Sequence, residues 1–422
     1  MESTNLDERT GQIRTADSAA DPIIELRNVY KIFGPLPRGR AFDLAQAGIS
    51  KNEIQRLTGH VVGLDNVNFS VRRGEIFVVM GLSGSGKSTA IRTANKLIET
   101  TAGEVLVDDV DVQQLSGARL QAFRRQKMGM VFQHFALFPH RNVIDNVGYG
   151  LKVQGIDRVE RERASLEALE LVGLGSYARS RPSELSGGMQ QRVGLARALA
   201  ANPDILLMDE AFSALDPLIR RQMQDEMLAI QAKLRKTILF ITHDLNEALR
   251  IGDRVCIMKD GAVVQIGTPE DILTRPATGY VAEFVQDVDQ GRVIDIATVM
   301  TPAATLRPDM TLAAALESID GHAGAFAVDD VGRPTGLLTA EDGIRAAAMG
   351  TTALRAALRI DFESARPEAT LNTVYAAAGR GLPIAVVDEA GVLVGALDPR
   401  AIMEELGRVE SLIDKFEREV FL

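Results

Sequence analysis

Only one cysteine, Cys256, occurs among 422 residues, so no intrachain disulfide can form and a cysteine-rich metal site is excluded. It lies in the apolar run Arg254–Met258 and reads as a buried strand thiol rather than a reactive one. Long apolar runs are missing too. The longest, such as Ile76–Leu82, are strand-sized, far below the roughly 18 to 20 residues that cross a bilayer, so any membrane role comes through a partner. Residues 1–22 lack the basic start and apolar core of a secretory signal and read as a disordered leader. Positive charge is in deficit: 47 Lys and Arg stand against 57 Asp and Glu, a net charge of −10, which argues against non-specific nucleic-acid binding. No lysine occurs between Lys259 and Lys415, and the composition shifts near 286–294, where a second domain begins.

With 422 residues, 46% of them hydrophobic, the chain can bury two or three cores. Residues 23–82 contain short β-rich runs (Ile23–Val29, Val67–Val71, Ile76–Met80) interrupted by an insert at 35–62. The insert reads as two short helices around Gly48 and Ser50 and superficially resembles a helix-turn-helix. It has only Lys51 and Arg56 near the second helix, and it reads as a surface insertion into a nucleotide-binding unit. From 83 to 285, strand-like runs alternate with amphipathic helical stretches, the pattern of a largely parallel sheet. Farther on, Thr311-Leu312 recurs as Thr370-Leu371, Val328-Asp329 as Val387-Asp388, and Gly332 and Gly336 as Gly391 and Gly395, each at an offset of 59. Two such units share one core rather than fold singly. Glu410–Leu422 reads as a short amphipathic helix.

Gly81-Leu82-Ser83-Gly84-Ser85-Gly86-Lys87-Ser88 fits the phosphate-loop pattern, following an apolar strand and preceding a helix. Glycines let backbone N–H groups close around phosphates at a helix N-terminus, Lys87 neutralises the outer phosphates, and the Ser88 hydroxyl can ligate Mg²⁺. Ile205–Glu210 is a buried strand that delivers two carboxylates at the sheet's C-terminal edge. Asp209 suits the Mg²⁺ shell, and Glu210 can act as general base on the attacking water.

Leu185-Ser186-Gly187-Gly188-Met189-Gln190-Gln191-Arg192 resembles the signature of ATP-binding-cassette ATPases. In the same order, Gln133 resembles that family's Gln loop, Ser213-Ala214-Leu215-Asp216 its D-loop, and His243 its switch histidine. The resemblance implies an α/β P-loop NTPase cassette with a RecA-like core, a helical subdomain and a small antiparallel β subdomain. It implies catalytic roles for Glu210, His243 and Gln133, and Mg²⁺ held by Ser88, Gln133 and Asp209. ATP is then held by Ser83, Gly84, Ser85, Gly86, Lys87, Ser88 and Thr89, with Phe33 rather than Tyr30 as the adenine platform. Gly187 and Asp216 are further nucleotide-binding residues by the same resemblance, and Ser186 and Gly188 face the γ-phosphate bound to a second copy, so a homodimer is implied.

Three classes of cassette protein compare: importer ATPases, exporters, and soluble proteins of DNA repair or translation. The long heptad arms of repair proteins and the paired cassettes of translation factors are absent, as is a fused membrane domain. The runs 80–89, 135–140 and 203–220 and the insert at 35–62 resemble the ATPases of osmoprotectant importers for glycine betaine and proline betaine. Choline, carnitine or amino-acid import remains the alternative, since the permease and binding protein would contact the solute. The resemblance covers roughly 23–285 as the cassette. The region 286–405 is similar to a tandem cystathionine-β-synthase module, with repeats at about 293–350 and 351–405, followed by a tail at 406–422.

The first repeat keeps Thr339 and Asp342 of that module's nucleotide-contacting pattern, whereas the second has Asp398 and Ala401 there. At most one adenine-nucleotide pocket per pair is expected, for a ligand such as cyclic di-AMP; a purely structural dimerisation module is the alternative. Residues 293–400 hold 14 Asp and Glu against 8 Arg, which disfavours attraction to anionic lipid heads. The implied partners are a second ATPase copy, two transmembrane permease subunits and an external substrate-binding protein, with no nucleic acid. The implied location is the cytoplasmic face of the inner membrane.

Overall fold

A computed structural model describes residues 21–407 apart from 134, 135, 287 and 320–322. All but the last two residues of the leader expected at 1–22, and the helix expected at Glu410–Leu422, lie outside the described residues. Contacts divide the chain into two compact units, one ending at Pro269 and one starting at Glu270. The shift in composition and the extent of the family resemblance put the boundary at 285/286 instead. The difference lies in two short helices, Pro269–Thr274 and Gly279–Val285. They group with the second unit, where Glu270 accepts a hydrogen bond from the Thr298 hydroxyl at 3.0 Å.

The strands of the first unit are β1 Pro22–Phe33, β2 Val61–Arg72, β3 Ile76–Met80, β4 Ala102–Val107, β5 Val110–Asp111, β6 Met128–Phe132, β7 Ile205–Asp209, β8 Thr237–Thr242, β9 Arg254–Lys259 and β10 Ala262–Gly267. A small antiparallel sheet has the order β2-β1-β4-β5, and a six-stranded sheet has the order β10-β9-β3-β8-β7-β6. In the larger sheet only the β9–β10 pair is antiparallel. Parallel strands covered on both faces are near-continuous apolar runs, and every residue of β3, β7 and β8 is buried. Phe77, Val79, Leu207, Leu239 and Cys256 pack in one core with Ile24, Leu26 and Val105 of the small sheet. Cys256 is fully buried there, its thiol pushed up to about 12 by burial.

The register brings the C-terminal ends of four strands side by side: Met80 pairs with Thr242, Asp209 with Ile241, and Phe132 with Asp209. Whatever follows these strands shares one edge. The insert forms the helices Arg40–Gln46 and Lys51–Thr58. The Ser50 hydroxyl caps the second by accepting from the Glu53 N–H. Ala41, Ala45 and Ile54 bury this hairpin against Ile32 and Val62.

In the second unit, β11 Thr305–Leu306, β12 Ala325–Val328 and β13 Pro334–Leu338 form one sheet, and β14 Ser364–Ala365, β15 Ile384–Val387 and β16 Leu393–Leu397 form another. Each strand of the second sheet begins 59 residues after its counterpart, and both sheets pair one strand parallel and one antiparallel. Phe326 and Leu337 cluster with Ala385, so the repeats share a core.

Candidate active site

The loop after β3 turns into the helix Lys87–Ala94 through Gly86, whose φ of +102° is a conformation that L side chains rarely adopt. A Cβ at Gly86 would lie 2.5 Å from the Gly63 carbonyl oxygen, so only glycine fits. Ser83 and Gly84 are exposed and Ser88 and Thr89 half-buried, while Lys87 is only 5% exposed. The Lys87 ammonium donates to the carbonyls of Gly81 at 2.8 Å and Leu82 at 3.0 Å. Burial lowers its pKa, partly opposed by the carboxylates of Glu210 and Asp209. Beside it the Ser85 hydroxyl is buried with no hydrogen-bond partner. An unpaired buried hydroxyl costs about 1–3 kcal/mol, which an anionic oxygen entering the loop would recover.

Asp209 ends β7, and its carboxylate accepts from the Ser88 hydroxyl at 3.0 Å and from Arg92 at 3.0 Å. Glu210 follows at φ +49°, in the left-handed region. That conformation costs a side-chain-bearing residue about 1–3 kcal/mol. It is held by the Glu210 N–H donating to the Ile241 carbonyl at 3.1 Å and by the Ser213 hydroxyl donating to the Glu210 carbonyl at 2.9 Å. The turn aims the carboxylate at two partners from neighbouring strands. Gln133 Nε2 donates to it at 3.4 Å, and His243 Nδ1 lies 3.3 Å away. The strand edge thus assembles Lys87, Ser88 and Asp209 beside Gln133, Glu210 and His243.

Ser186 caps the helix Gly187–Ala200, accepting from the Met189 N–H at 3.4 Å. A Cβ on Gly188 would lie 2.6 Å from Ile219 Cγ2, so glycine lets this helix start close to the next. Asp216 caps that next helix, Pro217–Leu234, accepting from the Ile219 N–H at 3.1 Å. Phe33 is 39% exposed with the Lys31 ammonium 5.0 Å from its ring centre, whereas Tyr30 packs edge-to-face on Phe42 at 5.2 Å.

The family described as ABC transporter matches residues 64–213, and the one described as CBS domain matches 293–348. The glycine betaine transport ATP-binding protein OpuAA of Bacillus subtilis is 47% identical over 89% of this chain and 92% of its own length. The glycine betaine/proline betaine transport system ATP-binding protein ProV of Salmonella typhimurium is 46% identical over 91% and 98%. The chain belongs to the ABC transporter ATP-binding proteins. In fold, this ABC ATPase also matches CbiO1 of Clostridium perfringens, with a TM-score of 0.51 and 24% identity over 63% of this chain and 95% of that one.

The C-terminal unit of the ABC ATPase places Thr339 at the cap of the helix Ala340–Ala348. Its hydroxyl accepts from the Asp342 N–H at 3.1 Å and donates to the Asp342 carboxylate at 2.9 Å. Arg359 grips the same carboxylate at 3.1 and 3.2 Å. Burial acts to raise the Asp342 pKa, but Thr339 and Arg359 outweigh it and hold the carboxyl below the usual range. In the second repeat Asp398 accepts from the Arg400 N–H at 2.9 Å, and Ala401 brings no carboxylate.

Motif reading missed Arg92 and Arg359. Arg92 was within reach, because it lies one helical turn beyond Ser88 and so on the same face. Arg359 is brought to Asp342 by tertiary pairing, Leu337 and Arg359 exchanging backbone hydrogen bonds at 2.9 and 2.8 Å. Among the described residues, no helix is long and apolar enough to cross a membrane.

Proposed function

We propose that this ABC ATPase energises an importer for quaternary-amine osmoprotectants such as glycine betaine or proline betaine. The carrying observation is that 46–47% identity to transport ATP-binding proteins named for these solutes runs through about nine-tenths of the chain, across both units.

In this reading Phe33 stacks on adenine, and the N–H groups of residues 83–89 surround the phosphates at a helix N-terminus. The Lys87 ammonium exchanges the Gly81 and Leu82 carbonyls for outer phosphate oxygens. Ser88, Asp209 and Gln133 are the candidate holders of Mg²⁺, which offsets phosphate charge when bound. Neighbouring oxygens of an octahedral Mg²⁺ shell lie roughly 3 Å apart, and the Ser88 and Asp209 oxygens are 3.0 Å apart. Glu210 accepts the proton of the attacking water, Gln133 steadies the water, and His243 donates toward the γ-phosphate. Ser186, Gly187, Gly188 and Asp216 complete the site of a second copy, so the working form is a homodimer beneath two permease subunits. That assembly puts the ATPase peripherally on the cytoplasmic face of the inner membrane, with an external binding protein delivering solute. Thr339 and Asp342 are the contacts for a regulatory adenine nucleotide such as cyclic di-AMP, which would have to displace Arg359.

The decisive experiment purifies the assembled transporter and follows ATP hydrolysis while binding protein and solute are added. Glycine betaine or proline betaine should stimulate turnover. Stimulation by choline, carnitine or proline with no response to the betaines would overturn the solute assignment while sparing the ATPase.

A further inference from the structure

The insert between β1 and β2 is tied to the phosphate loop. Because Ser50 caps its second helix, Lys51 is the first helical residue, and the buried Ile54 fixes that turn against Ile32 and Val62. The Lys51 side chain, 27% exposed, reaches out from this anchored base. Its ammonium lies 2.6 Å from the Asp260 carboxylate and 3.5 Å from the Gly84 carbonyl oxygen.

Asp260 and Gly261 form the tight turn between β9 and β10, with φ values of +54° and +90°. The Gly261 N–H donates to the Ser85 carbonyl at 3.0 Å, and the Gly261 carbonyl accepts from the Asp65 N–H at 2.9 Å. Two successive loop carbonyls, of Gly84 and Ser85, are therefore drawn outward, one toward Lys51 and one toward the turn. In a trans peptide the N–H points opposite to the carbonyl. The Ser85 and Gly86 N–H groups are thus turned into the loop, where the Ser85 N–H meets the Leu82 carbonyl at 3.2 Å.

We propose that Lys51 is a positioning residue of the ATP site. Its ammonium holds the Gly84 carbonyl away from the loop interior, which keeps the Ser85 N–H turned inward, where a phosphate oxygen can replace the Leu82 carbonyl as its acceptor. It also neutralises Asp260, a carboxylate beside a loop that must receive a polyanion. The proposal rests on the reading of residues 81–88 as the phosphate loop.

The test uses the full chain, measuring Mg–ATP binding by calorimetry together with KM and kcat for hydrolysis. Lys51→Met should weaken ATP binding and raise KM about three- to fivefold, the size of one partly exposed charge contact, with a smaller change in kcat. Lys51→Arg should restore most of the affinity, and adding Asp260→Asn to Lys51→Met should recover part of it by removing the unneutralised carboxylate. Lys51→Met with wild-type affinity overturns the proposal. So does a loss confined to kcat and thermal stability that neither second change repairs, because a scaffold residue would behave that way. Lys87→Ala is run alongside: if it leaves ATP binding intact, the loop assignment itself fails, a result distinct from failure of Lys51.

Discussion

At the scale of single residues, Glu210 joins a left-handed backbone to the carboxylate we propose as the general base. A left-handed backbone at a side-chain-bearing position persists only when its surroundings over-determine it, and here the Ile241 carbonyl and Ser213 hydroxyl do so. Glu210→Gln keeps the size of the side chain but removes the proposed base. We expect it to bind ATP with near wild-type affinity and to lose at least about 100-fold in turnover, the usual contribution of general-base catalysis. Single-turnover hydrolysis and equilibrium ATP binding measure the two parts; wild-type turnover would remove Glu210 from the mechanism. Gly188→Asp should behave differently. Any side chain there meets Ile219 Cγ2, so the Ile219 side chain or the signature helix must shift, and hydrolysis should fall while ATP binding by the isolated chain persists.

At the scale of elements, legibility followed how local the cause was. The strands β3, β7 and β8 could be read because four or five consecutive residues are apolar, and the insert helices because Ser50 supplies a cap and Gly48 a left-handed turn at φ +74°. The phosphate loop is contiguous and equally readable. What sequence did not yield were contacts made across the fold: Lys51 to Asp260, Arg359 to Asp342, and the grouping of the helices at 269–285 with the second unit. Periodicity describes a segment and is silent about its neighbours. The Thr339–Asp342–Arg359 cluster also carries a pH signature. Its carboxyl is depressed in the folded chain, so its stabilisation is present above the unfolded aspartate value of about 3.9 and is lost as pH falls through the lower folded value. Arg359→Ala should flatten the acid limb of the unfolding profile of the C-terminal unit, and calorimetry with Asp342→Ala should show no adenine-nucleotide binding if this is the regulatory pocket. Binding that survives Asp342→Ala moves the pocket elsewhere.

For the whole molecule, the division at Pro269/Glu270 decides how it can be cut. Ile272, Leu273, Val281 and Val285 are fully buried, and each such side chain contributes about 1.5–3 kcal/mol when covered. A fragment of residues 270–422 should therefore unfold cooperatively, while one of 293–422, without those four side chains, should melt lower or aggregate. Equal melting temperatures by scanning calorimetry would return the boundary to 285/286. The 59-residue repeat has a genetic consequence as well. Two copies of one scaffold share a core, but only the first holds a carboxylate beside its capping threonine. In a deep mutational scan the halves should diverge: core positions such as Phe326 and Ala385 should be intolerant in both, whereas polar substitutions at 342 should be selected against only under osmotic challenge, and those at 401 should drift.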